Sequence, residues 1–228
     1  MNEVLVNRGR VSILAHGGLA NMLTNEWFEP DGWRRTGAVR RHLGGRGQAV
    51  LVDSPAGPLV LRRFLRGGWV SRVRKDTFLN LGMQHSRAFR EFRVLRELWD
   101  RGLPVPEPLA ASHERHGVFY RAGLLTRLIP DARELADVAA ELSGQQWNDL
   151  GATLERFFAV GLKHPDLNAR NLLIDQSGQW YLLDLDRAVL TGRALDGRFM
   201  RRRLARSLEK LCPGAWQAGF DAANRRRS

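Results

Sequence analysis

The stretch of this 228-residue chain richest in chemistry is His164-Pro165-Asp166-Leu167-Asn168-Ala169-Arg170-Asn171. It is followed by Leu172-Leu173-Ile174-Asp175, a Gln176-Ser177-Gly178 turn, and Trp180-Tyr181-Leu182-Leu183-Asp184. Apolar runs on either side of such a turn pair as an antiparallel hairpin. Pairing sets Asn171, just before the first strand, beside Asp184, just after the second. An amide oxygen and a carboxylate converging at the mouth of a hairpin suit Mg²⁺, a hard cation that prefers oxygen ligands. Asp166 shares the loop with Asn171 and is placed to act as a base for a hydroxyl. The plainer alternative is an Asp/Asn-rich loop held by its own side-chain turns.

The order and spacing of His164, Asp166, Asn171 and Asp184 resemble the protein-kinase-like set, in which H-x-D-x-x-x-x-N supplies a catalytic Asp and a metal-binding Asn, and a later Asp holds the nucleotide-bound metal. The resemblance implies ATP and Mg²⁺. Upstream, Gly45-Arg46-Gly47-Gln48-Ala49-Val50-Leu51-Val52 is similar to the kinase loop G-x-G-x-x-G-x-V, with Val50 in place of the third glycine. That makes Gly45, Gly47 and Val52 candidates for holding the nucleotide, and a simple hairpin turn is the competing account. Leu59-Val60-Leu61-Arg62 stands where kinases write V-A-I-K, so Arg62 occupies the place of the phosphate-binding lysine. Strand alternation puts Val60 and Arg62 on one face and Arg63 on the other. A carboxylate beside apolar positions needs a cationic mate; Glu91, in line with Leu95 and Leu98 on a helix, is the expected partner of Arg62. Asp184-Leu185-Asp186-Arg187 lacks the glycine of D-F-G, and no A-P-E follows. A long activation segment is therefore not expected, which favours a small-molecule kinase.

These residues need elements to hold them. From Gly37 to Leu65, strands separated by glycine turns predict an antiparallel meander. Ser86–Arg101 has helical spacing, with Phe89, Phe92, Leu95 and Trp99 on one stripe, and stops at Gly102 before Pro104 and Pro106. Leu109–His113 and Val118–Arg127 read as further strands. Gln145–Leu162 reads as a buried helix through Trp147, Leu150, Leu154, Phe157 and Phe158, and Arg198–Leu211 as a basic helix. A strand Val11–His16 and a helix near Leu19–Phe28 are expected before the meander. The fold class predicted is α+β and two-lobed, protein-kinase-like: an N-terminal extension over residues 1–36, a β-rich N-lobe with one αC-like helix over 37–130, and a mainly helical C-lobe over 131–228.

Composition narrows the function classes. With 43% apolar and 26% charged residues, the chain has the make-up of a globular protein. Its one cysteine, Cys212, excludes a disulfide scaffold or a thiolate metal cage and suits a reducing compartment. No apolar run approaches the roughly 20 residues of a membrane span, and Met1–Arg10 carries no secretory apolar region. A cytosolic protein is expected, with a net charge of +12 that favours an anionic surface or substrate. Among its basic residues only Lys75, Lys163 and Lys210 are lysine; the rest are arginines, which grip phosphates and carboxylates bidentately. Skewed genomic base composition is the alternative source of that excess.

Further runs sharpen the resemblance: Arg62-Arg63-Phe64-Leu65-Arg66-Gly67-Gly68-Trp69, Arg87-Ala88-Phe89-Arg90-Glu91-Phe92, Gly102-Leu103-Pro104-Val105-Pro106, His164–Asn171, Asp184–Arg187 and Leu204-Ala205-Arg206-Ser207-Leu208. Together, from about Gly44 to Leu211, they resemble the lipopolysaccharide kinase family. That implies ATP-dependent phosphorylation of the 4-hydroxyl of 3-deoxy-D-manno-octulosonic acid (Kdo) on a lipid A precursor. It also implies a peripheral position on the anionic cytoplasmic face of a Gram-negative inner membrane, with no nucleic-acid partner. Arg66, Arg72, Arg74, Lys75, Arg201, Arg202, Arg203 and Arg206 are candidates for gripping that substrate. A heptose kinase or another small-molecule phosphotransferase would share every catalytic residue. A non-catalytic basic binding module would not require Asp166, Asn171 and Asp184.

Overall fold

The computed structural model describes residues 3–43, 48–64, 78–214, 216–217 and 219–220. The chain divides into two compact units: residues 1–100 with 107–128, and 101–106 with 129–228.

The first unit is built on an antiparallel sheet. Its strands are β1 (Glu3–Arg8), β2 (Val11–His16), β3 (Val39–Leu43), β4 (Gln48–Ser54), β5 (Gly57–Arg63), β6 (Phe78–Leu79), β7 (Pro108–His116) and β8 (Phe119–Arg127). Their order is β1-β2-β7-β8-β5-β4-β3, with β6 also pairing β8. The meander is therefore present as β3-β4-β5. Residues 3–35, set apart on sequence as an extension, contribute two strands to this sheet and the layer that covers one of its faces. That layer buries Leu23, Trp27, Phe28 and Trp33 against Ile13, Val52, Leu59, Leu61 and Leu125. The helix expected near Leu19–Phe28 is replaced by turns, a 3₁₀ turn Asn25–Phe28 and a short helix α1 (Pro30–Arg35). The indole N–H of Trp33 donates to the carbonyl of Trp27 at 2.9 Å, taking an oxygen a continuing helix would use.

Helix α2 (Arg87–Asp100) packs chiefly on β7 and carries Phe89, Phe92, Leu95 and Leu98 into the core. Trp99, predicted on that stripe, is instead exposed, and Leu98 takes its place. The helix ends at Asp100, so Trp99 lies in its last turn.

The second unit contains α3 (Leu135–Val138), α4 (Gly144–Ala159) and α5 (Arg198–Leu211). Short strands join them: β9 (Arg133–Glu134), β10 (Leu162–Lys163), β11 (Leu172–Ile174), β12 (Trp180–Leu182) and β13 (Val189–Leu190). Helix α4 opens on a capping box: the Ser143 hydroxyl accepts from the Gln146 N–H while the Gln146 side chain accepts from the Ser143 N–H. Its Trp147, Leu150, Leu154, Phe157 and Phe158 are buried as predicted, but it ends at Ala159, and Leu162 belongs to β10.

Candidate active site

In the second unit, β11 and β12 form the predicted hairpin, with Leu172 opposite Leu182. The next rung beyond β12 is backbone: the N–H of Leu183 donates to the carbonyl of Asn171 at 2.8 Å. Asn171 and Asp184 are thus brought to the same end of the hairpin by its register. Strands β10 and β13 pair antiparallel, Leu162 with Leu190 and Lys163 with Val189. The loop carrying Asp166 and the Asp184–Arg187 segment therefore spring from adjacent strands.

His164 fastens the two loops together. It is 1% exposed. Its Nδ1 accepts from the N–H of Asp166, and its Nε2 lies 3.3 Å from the carbonyl of Leu183. A neutral ring with its proton on Nε2 satisfies both contacts. Burial keeps it neutral by lowering its pKa, against the opposing pull of the Leu183 carbonyl and the nearby Asp184 and Asp166. Leu183 is gripped on both sides, by His164 and by Asn171, and this fixes the backbone that delivers Asp184. Asp184 has φ +55°, a left-handed conformation sparsely populated by non-glycine residues.

Asp166 also anchors its own loop. Its carbonyl accepts from Asn168 Nδ2 at 2.9 Å and from Asn171 Nδ2 at 3.3 Å. With that amide nitrogen committed, Oδ1 is the Asn171 atom that can serve a cation. Asn171 and Asp184 therefore offer the hard oxygen donors that fit Mg²⁺. The loop alternative is partly true as well, since Asn168 caps the turn that ends at Asn171 by accepting from the N–H of Arg170 at 2.9 Å.

Helix α5 braces this loop from behind. Met200 Sδ accepts from the N–H of His164, and Ser207 Oγ accepts from the N–H of Ala169 at 3.0 Å. Arg203, one turn before Ser207, donates from Nη2 to Asp166 Oδ1 at 2.7 Å, and Arg187 Nη1 lies 3.3 Å from Asp166 Oδ2. Neither pairing was anticipated, although Arg203 and Ser207 sit at helical spacing beside the apolar stripe of Met200, Leu204 and Leu208. Of the basic residues proposed to grip substrate, Arg201 instead pairs with Glu155 and lies over the Phe158 ring, while Arg202 and Arg206 are exposed. Arg66, Arg72, Arg74 and Lys75 lie outside the described residues.

In the first unit, Arg62 pairs with Glu91 as the sequence predicts. The Glu91 side chain is 2% exposed and that of Arg62 24%. Arg63, on the opposite face, lies 3.5 Å from Glu29. Val60 shares the Arg62 face. Val52 does not: register pairs it with Leu59, and it is fully buried in the core beneath Trp27 and Trp33. It supports the sheet, and the nucleotide-contacting role expected for it is set aside. Gly45 and Gly47 lie outside the described residues.

The lipopolysaccharide kinase (Kdo/WaaP) family model matches residues 31–218. The chain belongs to that family. Membership in this kinase family makes it an ATP-dependent kinase. Across 188 residues it is 47% identical to a 3-deoxy-D-manno-octulosonic acid kinase of Xanthomonas oryzae pv. oryzae (strain PXO99A), covering 81% of this chain and 74% of that protein. Over 218 residues it is 43% identical to the protein of the same name from Stenotrophomonas maltophilia (strain R551-3), covering 92% and 86%. The family match takes in the β5 strand, α2, the His164–Asn171 loop and α5. No helix among the described residues is long and apolar enough to cross a membrane.

Proposed function

We propose that the protein transfers the γ-phosphoryl group of ATP to the 4-hydroxyl of Kdo on a lipid A precursor, with the two units serving as the lobes of a kinase-like fold. The observation that carries this reading is the convergence of Asp166, Asn171 and Asp184 on loops joined through His164. Relatives at 43–48% identity named as Kdo kinases supply the acceptor.

In the proposed reaction, Asp166 orients the sugar hydroxyl and takes its proton. The hydroxyl oxygen bonds to the γ-phosphorus as the bond from that phosphorus to the bridging oxygen breaks, and the electron pair leaves with ADP. Asn171 and Asp184 would hold Mg²⁺, which supplies charge neutralisation on the phosphates when bound. Arg62, held by Glu91 on the Val60 face, would contact the phosphates as the usual lysine does. Catalysis would then rest on positioning and charge stabilisation. A lipid-borne substrate and a charge of +12 support a peripheral position on the cytoplasmic face of the inner membrane.

The test incubates the protein with labelled ATP, Mg²⁺ and a Kdo-bearing lipid A precursor, beside a heptose-core acceptor. Label on the 4-oxygen of Kdo supports the assignment. Label on heptose alone overturns it.

A further inference from the structure

Both oxygens of Asp166 are met by guanidinium groups, which occupy lone pairs that an acceptor hydroxyl would otherwise use. Arg203 Nη2 reaches Oδ1 at 2.7 Å, and Arg187 Nη1 reaches Oδ2 at 3.3 Å. Two guanidinium groups therefore share one carboxylate. The contacts are not equal. Arg187 makes the longer one and its side chain is 70% exposed, against 41% for Arg203 and 36% for Asp166. Among the described residues, the buried Nε–H of Arg203 meets no hydrogen-bond acceptor. An unsatisfied buried donor costs free energy until some acceptor reaches it.

We infer that Arg187 and Arg203 recognise a carboxylate on the acceptor sugar, Arg187 exchanging its hold on Asp166 for that group. The inference rests on the Kdo-kinase reading and adds to it the residues that select the acceptor. Arg187, the looser partner, moves first to the incoming anion and releases Oδ2 for the hydroxyl. Arg203 stays close and keeps the loop in register. The anion must belong to the same sugar as the hydroxyl, because both guanidiniums already touch the group that orients that hydroxyl. In Kdo, a single ring carbon separates the carbon bearing the carboxyl from the carbon bearing the 4-hydroxyl. The phosphates of lipid A sit on other sugars. A neutral heptose unit has no group to draw Arg187 away, so Asp166 would remain occupied.

The experiment uses the full chain with Mg·ATP and three acceptors: the Kdo-bearing precursor, the same molecule with its Kdo carboxyl converted to a neutral methyl ester, and the same molecule stripped of its lipid A phosphates. Wild-type kcat/KM for the carboxylate acceptor should exceed that for the ester by about tenfold to a hundredfold, the span of hydrogen bonds to a charged group. Arg187→Ala and Arg203→Ala should each bring that ratio toward unity, and Arg187→Lys should restore part of it. The loss should persist without the lipid A phosphates and fall on the acceptor KM. The exposed Arg187 keeps the test clear of folding, and a thermal melt checks Arg203→Ala. A ratio unchanged in both alanine variants would overturn the inference, as would an effect that disappears with the phosphates or lies only in KM for ATP. A wild type that phosphorylates Kdo without distinguishing acid from ester removes the inference alone. One that does not phosphorylate Kdo removes the acceptor assignment as well.

Discussion

The two units each set a carboxylate against arginine, and the two pairings have opposite character. In the first unit the Glu91 carboxylate is 2% exposed and Arg62 24%. In the second, Asp166 is 36% exposed, with Arg203 at 41% and Arg187 at 70%. A buried carboxylate that loses its cation cannot recover its hydration, so the Glu91 pair is fixed. A half-exposed carboxylate can trade one partner for another, because water screens the intermediate state. The same chemical pair therefore serves as a strut in one unit and as a replaceable contact in the other.

The largest predicted effect breaks the strut. Arg62→Ala strips the buried Glu91 of its paired cation and should cost about 3 kcal/mol of stability, measured by urea unfolding. Glu91→Ala should cost less, because the remaining Arg62 is partly exposed and lies over the Phe64 ring. The double variant should lose much less than the sum of the singles, in stability and in KM for ATP. Additive losses would show the pair to be incidental.

Next in size is Asp184→Asn. Asparagine tolerates the left-handed backbone at this position, so folding should hold while the charge that Mg²⁺ prefers is lost. Mg·ATP affinity should fall roughly tenfold or more, about 1.4 kcal/mol. Unchanged affinity would remove Asp184 from the metal site.

A smaller effect concerns pH. His113 is 4% exposed, stacked on Tyr120 at 4.6 Å, and its pKa is lowered by burial and then by Arg115. The unfolded chain binds a proton near the ordinary value of 6.5, while the folded protein resists it. Stability from this group is therefore complete above that pH and declines as pH falls below it toward the lowered folded value. His113→Phe should flatten that part of the unfolding profile. A profile identical to wild type would show that His113 does not contribute.

The smallest effect sharpens the contrast between strand faces. Arg63→Ala removes a 3.5 Å pairing with the 44%-exposed Glu29 and should cost less than about 1 kcal/mol. Greater sensitivity here than at Arg62 would contradict the observed register.

Local pattern made much of this legible in the sequence. The hairpin, the meander, α5 and the Arg62–Glu91 pair each follow from period, turn residues or one helix–strand approach. Val52 misled because the kinase loop pattern carries no register, and pairing with Leu59 turned that side chain into the core. Leu19, Leu23 and Trp27 have helical spacing, but the Trp33 indole occupies the Trp27 carbonyl and Pro30 starts a new helix. Arg187 and Arg203 were not legible as partners of Asp166. Their meeting depends on β13 returning to β10 and on how α5 seats behind the loop, neither of which is written in the spacing of charges.

Asp166→Ala, measured for turnover and for unfolding on the same preparation, most directly tests the claim that Asp166 is placed for chemistry. Turnover should fall by at least about a hundredfold, the scale of general-base catalysis, while Mg·ATP affinity holds and unfolding free energy changes by less than about 1 kcal/mol. Turnover above about a tenth of wild type, or a loss of stability matching that of Arg62→Ala, would contradict it.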